Sequence, residues 1–194
     1  MRYPEYVEVN GKKYKINTDF RYAIRCNQIA EDESIDDVKR GLAIICTLFG
    51  KDSINHREDY EKLLELAKKY LLCGKELEEN NKEPDMDFIQ DQNYIKSSFK
   101  YDYKYDPYAM EYLHWYEFYN DLDNLSNSEF GNCCVLNRVR NLRNMDTSKI
   151  QDADLKRQVE EDKKRVALNK KPVKKEYTDE EIKNMEEFNK LVNS

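Results

Sequence analysis

The chain has 194 residues, of which 39% are hydrophobic and 37% charged, with only 5 glycines and 4 prolines. So few turn-forming residues disfavour a β-sandwich or β-barrel and favour helices. The formal net charge of −6 argues against a general nucleic-acid binder. The sequence shows neither a signal peptide nor an apolar stretch that could span a membrane, so we expect a cytosolic protein.

The N-terminal region carries the strongest β signal. Residues 7–9 and 14–16 alternate with period two on either side of Asn10-Gly11, the favoured pair for a two-residue hairpin turn. The sequence therefore predicts a short β-hairpin. Because an isolated hairpin is only marginally stable in water, it must pack on helices or pair with another chain.

Helical periodicity follows the hairpin. Thr18 and Ser34 are predicted to cap two helices, and Asn55 to begin a third. The third has the clearest amphipathic pattern, formed by Tyr60, Leu63, Leu64, Ala67, Tyr70 and Leu71. After a polar break at 75–87, helices are predicted from near Asp91, from Asp106-Pro107 to residue 125, and from 128 to 142.

These elements predict a mainly α fold, a bundle of about six or seven helices with a short N-terminal β-hairpin. We expect residues 1–147 to form the helical domain with its hairpin. Residues 148–194 are rich in charge, with nine Lys or Arg and three acidic residues between 156 and 175, and a capping box at 178–181 predicts one more helix. We expect this segment to be a charged helical appendage.

Nothing in the sequence indicates catalysis. His56 and His114 lie far apart and in no catalytic spacing, and no motif singles out a pair of His114 with Cys73 or Cys133. The five cysteines show no C-x-x-C spacing, which suits free thiols of a reducing compartment. We therefore expect no enzymatic activity, no metal site and no cofactor.

One notable feature of the sequence is a local concentration of aromatic residues. Eight of the 15 tyrosines and the single tryptophan lie between residues 94 and 119. On a helix, Tyr112, Trp115, Tyr116 and Tyr119 would follow i, i+3, i+4 and i+7. This face is either the core side of a central helix or a partner-binding surface, since Tyr and Trp dominate interface hot spots.

A basic cluster is the other such feature. Arg138, Arg140 and Arg143 precede the Lys-rich C-terminal segment, so the last third of the chain is cationic. An intramolecular or self-association role is the simplest interpretation. Nucleic-acid binding is the alternative, although no aromatic-interleaved motif supports it.

Four blocks, in order, resemble a bacteriophage family named after the fifteenth gene product of its founding phage. They are residues 10–21 (NGKKYKINTDFR), 73–76 (CGKE), 91–95 (DQNYI) with Ser98-Phe99, and 110–118 (MEYLHWYEF), with a weaker match near Val139-Arg140. Together they span roughly residues 7 to 145. The sequence departs from the family pattern at 124–127 and 131–134.

The resemblance implies a gene between those of the major tail protein and the tape-measure protein, the position of tail assembly chaperones. We therefore expect a tail morphogenesis protein of the host cytoplasm that binds the tape-measure protein by helix packing, together with a second tail assembly chaperone or further copies of itself. The alternatives are a structural tail component retained in the virion, and a nucleic-acid-binding regulator that uses the basic C-terminal third.

Overall fold

The computed structural model describes residues 3–75, 84–127 and 133–169, which form two compact units. The first unit comprises residues 3–75 and 113–116, and the second comprises 84–112, 117–127 and 133–169. The described residues contain seven α-helices and one two-stranded sheet, so the predicted mainly α class is confirmed. The domain boundary expected at residue 147 stays a prediction.

The predicted N-terminal hairpin is present. Strands β1 (Tyr6–Val9) and β2 (Lys12–Lys15) pair antiparallel, with Val9 opposite Lys12 and Tyr6 opposite Lys15. The turn residues Asn10 and Gly11 have φ of 50° and 76°, as a type I′ turn requires.

A buried carboxylate fixes the hairpin to the first unit. Asp59 is fully buried and accepts hydrogen bonds from the side chains of Asn10, Lys12 and Tyr14. Burial and the neighbouring carboxylate raise the pKa of Tyr14 to about 12, so its phenol stays protonated and donates at neutral pH. The hairpin therefore packs on the rest of the first unit, as expected, and Asp59 provides the contact.

Three helices complete the first unit: α1 (Phe20–Glu31), α2 (Asp37–Phe49) and α3 (Tyr60–Leu71). The N-caps of α1 and α2 are Asp19 and Asp36, each one or two residues after the predicted Thr18 and Ser34, because their carboxylates accept the free N–H groups of the first turn. A 3₁₀ turn, Arg57–Asp59, precedes α3. The core contains Phe20, Ala23, Ile24, Ile45, Leu48, Leu63, Ala67 and Tyr70.

The second unit contains α4 (Gln92–Asp102), residues 117–123 of α5 (Trp115–Asp123), α6 (Val135–Asn144) and α7 (Ala153–Val166). In its core, the rings of Phe99 and Phe118 stack with centroids 5.4 Å apart. Other buried residues are Ile95, Leu122, Leu136 and Val139. No residue of α7 is buried, in keeping with its charged sequence.

Some predicted bounds differ from the structure. The helix expected over 128–142 is described from Val135, with Cys134 as its N-cap, and residues 128–132 lie outside the described ranges. The last helix, expected after the capping box at 178–181, also lies outside them.

Tyr14→Phe should lower the free energy of unfolding by about 1.5–3 kcal/mol, because it removes a hydrogen bond to a buried carboxylate. The matched control is Tyr6→Phe on the opposite face of the hairpin, where the ring is 53% exposed. We expect that change to stay within about 0.5 kcal/mol of the wild type in urea unfolding. Equal effects of the two substitutions would contradict the anchoring role of Asp59.

Candidate functional site

The four aromatic residues expected to share one helical face do not do so. Helix α5 begins at Trp115, and Tyr112 lies in the irregular segment before it. The helix predicted from Asp106-Pro107 to residue 125 is therefore wrong in its first half. Asp106 does act as an N-cap, but of the short 3₁₀ turn Pro107–Ala109.

Backbone pairing within the first unit explains the late start of α5. The Phe20 N–H donates to the Leu113 carbonyl at 2.9 Å, and the Trp115 N–H donates to the Thr18 carbonyl at 2.8 Å. The Leu113 N–H also lies 3.3 Å from Asp19 Oδ2. Residues 113–115 are thus extended against the start of α1, and their N–H and C=O groups are not available to a helical turn.

The four residues also differ in how far they are buried. Trp115 is 1% exposed, and its Nε1 donates to the Leu71 carbonyl at 3.1 Å. Tyr116 and Tyr119 are half-buried, and the ring of Tyr116 lies 5.1 Å from that of Tyr70. Tyr112 is 52% exposed. Trp115 therefore serves the core of the first unit, and Tyr112 is the member of the set best placed to contact another protein.

The second unit exposes further large apolar side chains. Besides Tyr112, they are Ile89, Tyr101, Met110, Met145 and Leu155, each between 38% and 61% exposed. The sequence could not single these residues out, because each lies within a pattern that also contains buried residues.

His114 lies within an aromatic cluster of the first unit formed by Tyr3, Tyr70 and Tyr116. The Tyr3 ring stacks on the imidazole with centroids 4.7 Å apart. Nδ1 accepts a hydrogen bond from the Tyr116 N–H at 3.0 Å, so the imidazole satisfies a donor in the first turn of α5. This bond requires an unprotonated Nδ1.

The environment of His114 disfavours its charged form. Burial lowers its pKa, against smaller opposite effects of the Pro4 carbonyl and the Glu5 carboxylate. Its Nε2 has no hydrogen-bond partner of good geometry among the described residues. The ring is therefore a structural acceptor at neutral pH.

The three arginines of the expected basic cluster have different surroundings. Arg138 is exposed. Arg140 Nε lies 3.1 Å from Asp85 Oδ1. Arg143 forms a bidentate pair with Asp91, with two N–O distances of 2.7 Å, and the side chains of this pair are 10% and 1% exposed.

Arg143 also donates to two carbonyls. Its Nη1 bonds Asp85 O and its Nε bonds Val166 O, both at 2.7 Å. One side chain thus joins α6, the start of α4, the segment before α4 and the end of α7. Two of the three expected basic residues are consequently paired within the second unit, and their charge serves its packing.

Within the described residues, one group has atoms spaced for a metal ion: His56, Glu58 and Asp59, whose ligand atoms lie within 4.8 Å of one another. The Lys12 ammonium lies 3.1 Å from His56 Nδ1, 2.6 Å from Glu58 Oε1 and 3.2 Å from Asp59 Oδ2. The chain therefore supplies its own cation to this group. We interpret the cluster as part of the attachment of the hairpin.

The sequence profile described as "Bacteriophage Gp15 protein" matches residues 2–168. The chain belongs to this phage protein family. No curated protein and no solved structure matches it significantly.

The family match extends further than the blocks that the sequence suggested. It includes the hairpin at one end and all of α7 at the other. The family pattern therefore continues about twenty residues beyond residue 147, into the segment expected to be an appendage.

All five cysteines of this Gp15-family chain are free thiols. Cys26 and Cys134 are buried, and burial raises the pKa of the Cys26 thiol to about 12, so it is neutral and unreactive. Among the described helices, none combines the length and the apolar character that crossing a bilayer would require.

Acidification should destabilise the protein through His114. Because burial lowers its pKa below the ordinary value of 6.5, the unfolded chain takes up a proton first, and stability present above pH 6.5 is lost as pH falls. We expect His114→Gln to lose less unfolding free energy between about pH 7 and pH 5 than the wild type does. A pH dependence equal to that of the wild type would contradict the acceptor role of His114.

Arg143→Ala should lower the free energy of unfolding by about 3–5 kcal/mol, because it leaves the Asp91 carboxylate buried without its partner. Arg138→Ala, five residues earlier on the same helix, removes an exposed arginine and should change it by no more than about 0.5 kcal/mol. Denaturant titration of both variants measures the difference. Similar values would mean that the Arg143–Asp91 pair does not hold the second unit together.

Proposed function

We propose that this protein is a non-enzymatic tail assembly chaperone that binds the tape-measure protein of its phage during tail morphogenesis. The observation that carries the proposal is membership in the Gp15 family across residues 2–168. The gene position that the family resemblance implies is the one that tail assembly chaperones occupy. The expected site of action is the host cytoplasm, where tails assemble.

The chemistry of the partner supports a binding role. A tape-measure protein is a long helical protein whose apolar surface must be covered until the tail tube surrounds it. The exposed apolar side chains of the second unit, Tyr112 and Met110 among them, suit contact with amphipathic helices. Many copies along one long partner would add avidity, so each single contact needs only modest affinity.

The paired arginines weigh against a nucleic-acid role. DNA binding depends on Lys and Arg groups that neutralise phosphates. Arg140 and Arg143 already face Asp85 and Asp91, which leaves Arg138 as the exposed member of the trio. We therefore favour protein binding over DNA binding by these arginines. A DNA mobility shift at low salt that is lost when Arg138 and the lysines between 156 and 175 are neutralised would overturn this choice.

The test is co-expression with the tape-measure protein of the same phage, followed by affinity capture. Tyr112→Ser should raise the dissociation constant at least about tenfold, the loss expected of an aromatic hot spot. Tyr22→Ser is the matched control, since Tyr22 is 46% exposed but lies in the first unit. Loss of capture in both variants, or in neither, would contradict the assignment to Tyr112.

Protein analysis of purified virions separates a chaperone from a structural tail component. A chaperone should be absent from mature particles, whereas a tail component should be present at a fixed ratio to the tube protein. Detection at such a ratio would replace the chaperone proposal with the structural one.

A further inference from the structure

The hairpin has one edge that is built for strand pairing. The two-residue turn makes Val9 and Lys12 a hydrogen-bonded pair. Along antiparallel strands, hydrogen-bonded pairs alternate with non-hydrogen-bonded pairs. The bond from the Ile16 N–H to the Glu5 carbonyl shows that this alternation continues to the far end of the hairpin. Residues at the intervening positions therefore direct their N–H and C=O groups away from the partner strand. On β1 these residues are Tyr6 and Glu8.

The outward groups of β1 belong to exposed residues. The side chains of Tyr6 and Glu8 are exposed, Tyr6 to 53%. No residue of the described ranges forms a hydrogen bond with their outward N–H or C=O groups. A row of such groups is a template for another strand.

The opposite edge of the sheet is protected. The outward residues of β2 are Lys13 and Lys15, and three of its four residues are lysines. Lysine on an edge strand opposes pairing with another edge, because like charges would face each other across the new ladder. The two edges of one hairpin thus differ in their capacity to accept a strand.

We propose that β1 pairs antiparallel with β1 of a second copy of this chain to form a continuous four-stranded sheet. In this register Tyr6 lies opposite Glu8 of the second copy, and Val7 lies opposite Val7 on the two-fold axis. All the outward N–H and C=O groups of Tyr6 and Glu8 find partners. The outer edges of the joined sheet are then the two lysine-rich β2 strands, so growth stops at two copies.

Neighbouring registers are disfavoured. A shift that places Tyr6 opposite Tyr6 brings Glu8 to Pro4, which has no N–H to donate. The opposite shift places Glu8 directly against Glu8, and like charges at facing positions destabilise a sheet. The proposed register avoids both problems, so hydrogen bonding and charge select the same arrangement.

Proline substitution tests the edge directly, because it removes one N–H and is tolerated where that N–H faces outward. Glu8→Pro removes an N–H from the proposed interface, and symmetry doubles the loss in the dimer. Lys13→Pro makes the same change on the protected edge, directly opposite Glu8 in the hairpin. We expect Glu8→Pro to raise the dimer dissociation constant at least about tenfold and Lys13→Pro to leave it within about twofold.

Sedimentation equilibrium on the full chain measures the association, and circular dichroism checks that both variants keep the wild-type helical signal. Amide exchange supplies a readout without mutation, since the Tyr6 and Glu8 amides should become protected as concentration rises while those of Lys13 and Lys15 do not. A wild type that stays monomeric at about 100 μM, well above a micromolar Kd, would overturn the proposal. So would a dimer that survives Glu8→Pro, or species that grow beyond two copies.

This inference does not rest on the chaperone proposal. Dimerisation is measured on the isolated protein, and tape-measure capture is measured with Tyr112→Ser in the other unit. A failed dimer test therefore leaves the partner assignment intact, and the reverse also holds.

Discussion

The backbone hydrogen bonds between residues 18–20 and 113–115 are the constraint on which the first unit depends. They join positions more than ninety residues apart, so their formation fixes a long loop of chain at considerable entropic cost. Once formed, they bring Trp115 into the core and His114 beneath the Tyr3 ring. They also determine where α5 can begin. A change that loosened this pairing would therefore act at once on the core, on the aromatic cluster and on the start of a helix.

Each unit is further organised by one buried carboxylate. Asp59 receives the hairpin side chains in the first unit, and Asp91 receives Arg143 in the second. Each carboxylate forms an ion pair with a residue distant in sequence: Asp59 with Lys12, and Asp91 with Arg143. A buried charge is tolerated only where it is paired and hydrogen-bonded, so these contacts impose strict geometry on the segments that supply them. The ion pairs of Asp59 and Asp91 are thus structural, although each involves a charged group that sequence alone would assign to the surface.

The local elements were predictable from sequence because their causes are local. Asn10-Gly11 specifies the hairpin turn, and the apolar spacing between Tyr60 and Leu71 specifies α3. The helix expected from Asp106 failed for a nonlocal reason, since the pattern through Tyr112 is helical but the backbone at Leu113 bonds to Phe20 instead. Predictions about the candidate site also failed for nonlocal reasons. Composition identified Arg143 as basic but could not reveal that Asp91, fifty-two positions away, neutralises it. Periodicity placed Trp115 beside Tyr112, whereas the fold buries the first and exposes the second.

The placement of the single tryptophan gives the molecule a built-in optical reporter. Its indole is almost completely shielded from water, and its ring N–H is held by the Leu71 carbonyl. Emission excited at the red edge of protein absorption therefore arises from the first unit alone, while the second unit carries tyrosine and phenylalanine as its chromophores. Loss of order in one half of the chain can thus be distinguished spectroscopically from loss of order in the other without attaching a dye.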